Sequence, residues 1–179
     1  YSGFTTTNHL EQDDNHQFND GDFCFMFWIK LTAAGNDNQT FIDMSSSDGG
    51  TGNPRMRIHQ MSSPSGTIRL YTDSGNVVST SNRIGAGWTF VTAIRNHGHL
   101  EIYINGELEG SGSTSTTNFN TASGQLSIGL DGDGTDPLDN GSITLLRMGT
   151  TTPSPEQIKK IYNDERVLFQ ENAKCTLYG

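Results

Sequence analysis

Trp88-Thr-Phe-Val-Thr-Ala-Ile-Arg95, Asn96-His-Gly-His99 and Leu100-Glu-Ile-Tyr-Ile104-Asn105-Gly106-Glu-Leu-Glu-Gly110 read as two consecutive hairpins. The first run is β-branched and aromatic. The next alternates Leu100, Ile102 and Ile104 with Glu101 and Tyr103, the period of two expected of a strand with one face in a core. Asn105-Gly106 closes the second hairpin, because Asn and Gly tolerate the positive φ angles of a type I′ turn, whose twist matches the flanking strands.

Working outward, Phe23, Phe25, Phe27 and Ile29 alternate with Cys24, Met26, Trp28 and Lys30, so both faces of that strand are largely apolar and it belongs inside its sheet. Arg55 to His59 and Thr67 to Tyr71 form a further hairpin about the turn Ser62 to Gly66, a cluster of turn-forming residues. Tyr1 to Phe4, Thr40 to Met44, Gln125 to Gly129, Gly141 to Met148 and Lys174 to Leu177 complete the expected strands. Gly110 to Ser123, rich in Ser, Thr and Gly, reads as a loop. One helix is signalled by Ser154 as N-cap, Pro155 at the first position and Gln157 completing a capping box. Ile158, Ile161, Tyr162 and Glu165 follow on one stripe, placed to cover a sheet edge or to anchor the C-terminal strand.

Composition agrees with an all-β reading. Of 179 residues 21 are glycine and only 32% are hydrophobic, too polar for a helical bundle but usual for a sandwich with long polar loops. One domain over residues 1–179 is the expected count, and a chain of this size buries about 70% of its unfolded surface. A net charge of −9 opposes any electrostatic grip on nucleic acid or an anionic membrane. No apolar run approaches the roughly 18 residues of a membrane span. The sequence starts at Tyr1 rather than Met, which predicts a piece of a longer polypeptide. Cys24 and Cys175 fit no metal spacing. Cys24, in the Phe-rich strand, is expected as a small buried hydrophobe not bridged to Cys175.

The tryptophan strand, polar turn, alternating strand and Asn-Gly turn resemble the signature hairpins of laminin G-like domains in the concanavalin A-like lectin/glucanase superfamily. Gly21 to Lys30, Leu126 to Gly129, and Gly141 to Arg147 with Pro153 to Lys159 are similar to that family's early strand, late strand, and closing strand with helix. The resemblance implies an antiparallel β-sandwich of jelly-roll type with one C-terminal helix. Gln157 to Glu165 running into Glu171 to Gly179 resembles modules found in bacteriophage tail-fibre or other virion proteins. It implies an exposed module on a virion, partnered by a glycan or host-surface receptor and by other domains of the same protein.

The superfamily also contains glycan hydrolases whose catalytic strand carries Glu-x-Asp-x-x-Glu, which sets an acid and a nucleophile about 5 Å apart. That motif is absent here. Glu101, Glu107 and Glu109 are the nearest imitation and belong to the solvent face of a hairpin. His9, His16, His59, His97 and His99 coexist with many Ser and Asp, yet no Gly-x-Ser-x-Gly elbow frames a nucleophile. A non-catalytic module is the expectation.

Two constellations carry chemistry. Asp131, Asp133, Asp136 and Asp139 lie within one turn-rich segment with interleaved glycines, a set of oxygens suited to calcium. Asp13, Asp14 and Asp43 are candidate ligands from outside it, and a solvated acidic loop is the alternative. Against the global charge, Arg55, Arg57 and His59 alternate on one strand, as do Arg69 and Tyr71 on the next. Antiparallel pairing brings such sets together on one face. There guanidinium forks bind carboxylate, sulfate or phosphate of an acidic glycan and the tyrosine offers a stacking plane. The competing reading pairs these arginines with Asp43, Asp48 and Asp73 as ordinary salt bridges.

Overall fold

A computed structural model describes residues 1–13, 18–32, 38–46, 55–79, 84, 87–119 and 124–170. Its strands are β1 (Leu10–Asp13), β2 (Phe23–Leu31), β3 (Gln39–Ser46), β4 (Met56–Gln60), β5 (Ile68–Thr72), β6 (Gly75–Val78), β7 (Trp88–Asn96), β8 (His99–Ile104), β9 (Glu107–Thr114), β10 (Gly124–Ile128) and β11 (Gly141–Gly149). Helix α1 (Pro155–Glu165) and a 3₁₀ turn (Arg166–Phe169) follow. One sheet has the order β1-β10-β3-β4-β5-β6 and the other β11-β2-β7-β8-β9, every neighbouring pair antiparallel. This is the expected antiparallel sandwich with one C-terminal helix.

Alternation decides what each sheet contributes to the core. From the five-stranded sheet come Phe23, Phe25, Phe27, Ile29, Val91, Ala93, Leu100, Ile102 and Ile104. The six-stranded sheet answers with Ile42, Met44, Met56, Ile58, Ile68 and Leu70. Asn105 and Gly106 have φ of 53° and 80°, as a type I′ turn demands.

The odd-numbered half of the Phe-rich strand faces the sandwich, and the other half is covered by α1. Ile158 is buried with Cys24, Met26, Trp28, Phe90, Ile94 and Tyr103, and Ile161 and Tyr162 pack at the margin. The helix therefore lies on the outer face of the five-stranded sheet, where β2 and β7 expose a second apolar stripe, and not along an edge. The capping box on Ser154 forms as expected. Glu165, at the end of the stripe, accepts the indole N–H of Trp28 at 2.8 Å and pairs with Arg147. Cys24 is a free thiol, and burial pushes it up to about 12. Cys175 and the strand expected at Lys174 to Leu177 lie outside the described residues, as do Asp14, His16 and Asp48.

Two local expectations are corrected. Tyr1 to Phe4 is not a strand, for Gly3 turns the chain at φ 75° and leaves a single bridge between Ser2 and Ser142. Glu107–Thr114, most of it read as the start of a loop, is strand β9; its small residues gain their order from pairing with β8. Short strands β1 and β6 have too few apolar residues to show in the sequence and exist through pairing with β10 and β5. No helix among the described residues is long and apolar enough to cross a membrane.

Candidate functional site

Because Met56, Ile58, Ile68 and Leu70 enter the core, the intervening residues of β4 and β5 emerge on the outer face of the six-stranded sheet. The register sets Arg57 opposite Tyr71 and His59 opposite Arg69. On the other side of β4, Asp43 stands opposite Arg57 and Thr40 opposite His59. The predicted gathering of Arg57, His59, Arg69 and Tyr71 on one face is thus present, and Arg55 joins it at the end of β4.

The acidic segment folds down onto the same face, so the two constellations read separately in the sequence meet. Leu138 donates its backbone N–H to Gly129 at 2.9 Å, and Thr40 N–H is bonded to Asp136 O at 3.1 Å, which closes the loop and ties it to β3. Gly132 sits so close to Ser45 that a Cβ would collide with its hydroxyl. Glycine is required here for the approach itself. Asp131 organises the loop from within: its Oδ1 accepts Thr135 N–H at 2.7 Å and Asp136 N–H at 3.2 Å.

Arg55 and Arg57 are held by this loop. Arg55 lies 3.0 Å from Asp43, 3.5 Å from Asp131 and 3.2 Å from Asp133. Arg57, buried, bonds Thr40 Oγ1 with Nε at 2.9 Å, pairs with Asp136 and lies 3.6 Å from Asp131. Salt-bridge pairing of these two arginines, one of the two readings of the sequence, is what the structure contains, but mostly with the loop aspartates. Asp73 meets Arg55 through the backbone N–H, at 2.8 Å. Of the four candidate calcium ligands, Asp131, Asp133 and Asp136 turn toward guanidinium groups. Asp139 stands apart and accepts from the Asn140 side chain. Among the described residues no group of three or more His, Cys, Asp or Glu is arranged to hold a metal ion.

Burial pushes the Asp43 carboxyl above its ordinary range, with Arg55 opposing. Burial also raises Asp131, but the N–H groups of Thr135 and Asp136, with Arg57, outweigh it and hold that carboxyl below its usual range.

Arg69 differs from its neighbours. Its guanidinium lies over the Tyr71 ring, 5.0 Å from the centroid, and no carboxylate among the described residues pairs with it. The ring orients the guanidinium fork, so the stacking plane expected of Tyr71 is taken on that side by Arg69. His59, 6% exposed, has both ring nitrogens without a hydrogen-bond partner among the described residues, and Arg69 Nε is likewise unpartnered. Burial, followed by Arg57, Arg69 and Arg55, depresses His59 to about 3, so the ring is neutral at neutral pH and offers one donor and one acceptor.

Elsewhere, the carboxylates nearest in pattern to a hydrolase pair have structural partners. Glu101 accepts the Tyr103 hydroxyl at 2.7 Å, and Glu107 pairs with Lys159 of α1. His97 donates its backbone N–H to the Asp22 carboxylate at 2.7 Å in the turn between β7 and β8.

This sandwich and its loop-braced face define a lectin-like domain. A family model named Laminin_G_3 and described as "Concanavalin A-like lectin/glucanases superfamily" matches residues 4–159, and the protein belongs to that family. No curated protein matches the chain at a significant level. Among solved structures, a candidate carbohydrate-binding protein of Bacteroides ovatus is similar with a TM-score of 0.66 at 18% identity, over 88% of this chain and 45% of that one. The binding domain of botulinum neurotoxin serotype D superposes with a TM-score of 0.59 at 17% identity, over 90% of this chain and 41% of the other. The chain thus spans less than half the length of either. The CBM40 domain of the Ruminococcus gnavus IT-sialidase, whose structure has also been solved with α2,3-sialyllactose, corresponds almost end to end: TM-score 0.63, 10% identity, 87% of this chain and 97% of that chain. At these identities the likeness is one of fold.

Proposed function

We propose that this domain is a non-catalytic carbohydrate-binding or adhesion module that presents the outer face of its six-stranded sheet to a glycan. One observation carries the reading. Arg69 and Tyr71 form an oriented cation–aromatic pair with no acidic partner among the described residues, beside a buried histidine whose ring nitrogens have no hydrogen-bond partner among them, on the sheet face that α1 leaves uncovered. Buried polar groups without partners cost free energy unless water or a ligand satisfies them. Fold relatives that bind sialylated sugar support the reading by analogy, since fold alone does not fix function. The wider context we propose, from the resemblance of the C-terminal segment, is an exposed position on a phage tail fibre, where such a module would meet host-surface glycan.

A glycan array probed with the intact chain, followed by product analysis of any bound sugar, tests this. Binding without turnover, lost in Arg69→Ala, is expected; an empty array would favour a structural spacer, a reading supported by the ion pairing of Arg55 and Arg57 with aspartates. Turnover would make the module an enzyme.

For the acidic loop we also propose a calcium response. Its oxygens suit a hard cation, though a bound ion would have to compete with Arg55 and Arg57 for Asp131, Asp133 and Asp136. Selective binding to the folded state raises the melting temperature by mass action, and identical melting curves in calcium and in chelator would remove calcium from the account.

A further inference from the structure

The three arginines of the outer face are in two electrostatic states. Arg55 and Arg57 are engaged by Asp43, Asp131, Asp133 and Asp136, so four carboxyl groups surround two guanidinium groups. A further anion placed there meets carboxylate as well as guanidinium. Arg69 pairs with no carboxylate among the described residues, and its fork suits bidentate pairing with one. Asp43 on β3 is two strands from Arg69 on β5, about 10 Å at the usual strand spacing. One charge can dock on Arg69, to the β5 side of those ion pairs, whereas a chain of charges crossing the sheet toward β3 would run onto their carboxylates. The net charge of −9 adds a long-range repulsion that grows with ligand charge.

We infer that this face selects a glycan end carrying a single carboxylate, anchored on Arg69 with Tyr71 and His59 beside it, and that the loop from Asp131 to Asp136 excludes polyanionic glycans. The loop does so by neutralising the two arginines that would otherwise extend the positive surface. Sialic acid and a terminal uronic acid share this chemistry. The inference rests on the glycan-binding reading and narrows it to a class of ligand.

Calorimetry of the intact chain against sialyllactose, a glucuronic acid-terminated disaccharide, lactose and heparin tests both levels. At least one of the two carboxylate sugars should bind tenfold or more tightly than lactose, the difference between them identifying the source, and heparin should bind no better than lactose at physiological salt. Arg69→Gln should abolish the preference over lactose. The double variant Asp133→Asn with Asp136→Asn, at partly exposed positions, should gain heparin binding by releasing Arg55 and Arg57. Heparin binding to the unaltered domain tighter than either carboxylate sugar, or a preference unchanged in Arg69→Gln, would overturn the inference and leave glycan binding standing. Binding of lactose alone would do the same, whereas no binding to any glycan, on the array or in solution, would remove the underlying reading as well.

Discussion

Arg95 offers the sharpest test of how this sandwich is held together. It is fully buried in β7, yet no carboxylate among the described residues pairs with it. Its Nε donates to Gly21 O at 2.6 Å, Nη1 to Thr117 O at 2.6 Å and Nη2 to Asn19 O at 3.0 Å. The guanidinium lies over the rings of both Phe23 and Phe119, 5.0 and 4.9 Å from their centroids. One side chain thus fastens two connecting segments to the end of the core. Arg95→Met keeps an unbranched stem and removes every donor. Hydrogen bonds from charged donors contribute about 1.5–3 kcal/mol each, and three would suggest a large loss. Two offsets reduce it: the guanidinium no longer has to be dehydrated, and the carbonyls of Gly21 and Asn19, bonded at part-buried positions, can recover water. The net expectation is a loss of about 3 kcal/mol, the low end of what breaking a buried charged contact costs. For a domain of this size that lowers the melting temperature by roughly 6–12 °C. Arg95→Lys, which keeps the charge but cannot span three carbonyls, should fall between. Urea denaturation with an unchanged slope reads the difference directly. A Met variant as stable as the parent would refute the reasoning, showing that water serves those carbonyls equally well.

Gly106→Val should cost about 1–3 kcal/mol from backbone strain alone, because φ is 80°, and more because a Cβ there would stand 2.9 Å from Lys159 Cδ and 3.1 Å from its Cα; an unchanged denaturation midpoint would mean that neither the turn nor the helix contact matters. Asp131, held below its ordinary range in the folded state, contributes stability that is present above the unfolded pKa of about 3.9 and lost as pH falls through the folded value. Asp131→Asn should therefore be less stable than the parent at neutral pH and approach it in acid, and a stability gap that does not change with pH would contradict the assignment.

The hairpins around Asn105-Gly106, the two-faced Phe-rich strand and the capped helix were legible in the chain because each is specified locally, by a side-chain period, a turn or a cap. The residues of the candidate face were legible too, since alternation along β4 and β5 puts Arg57, His59, Arg69 and Tyr71 on one side whenever the two strands pair in this register. Strands β1, β6 and β9 were not, because their order comes from partner strands distant in sequence and hardly at all from their own apolar content.

Which arginines are free, and which are spent, only the tertiary structure decided. Asp131, Asp133 and Asp136 lie more than seventy residues after Arg55 and Arg57, and nothing in either segment announces that the loop folds onto that face. Closure between Gly129 and Leu138, the bond to Thr40 and the close approach of Gly132 bring opposite charges within 4 Å. The sequence alone set the charge types and the side of the sheet. Long-range packing determined that Arg55 and Arg57 brace a loop while Arg69 is left with an aromatic neighbour and, among the described residues, no acid, because electrostatic pairing depends on distance in space and the sequence records only distance along the chain.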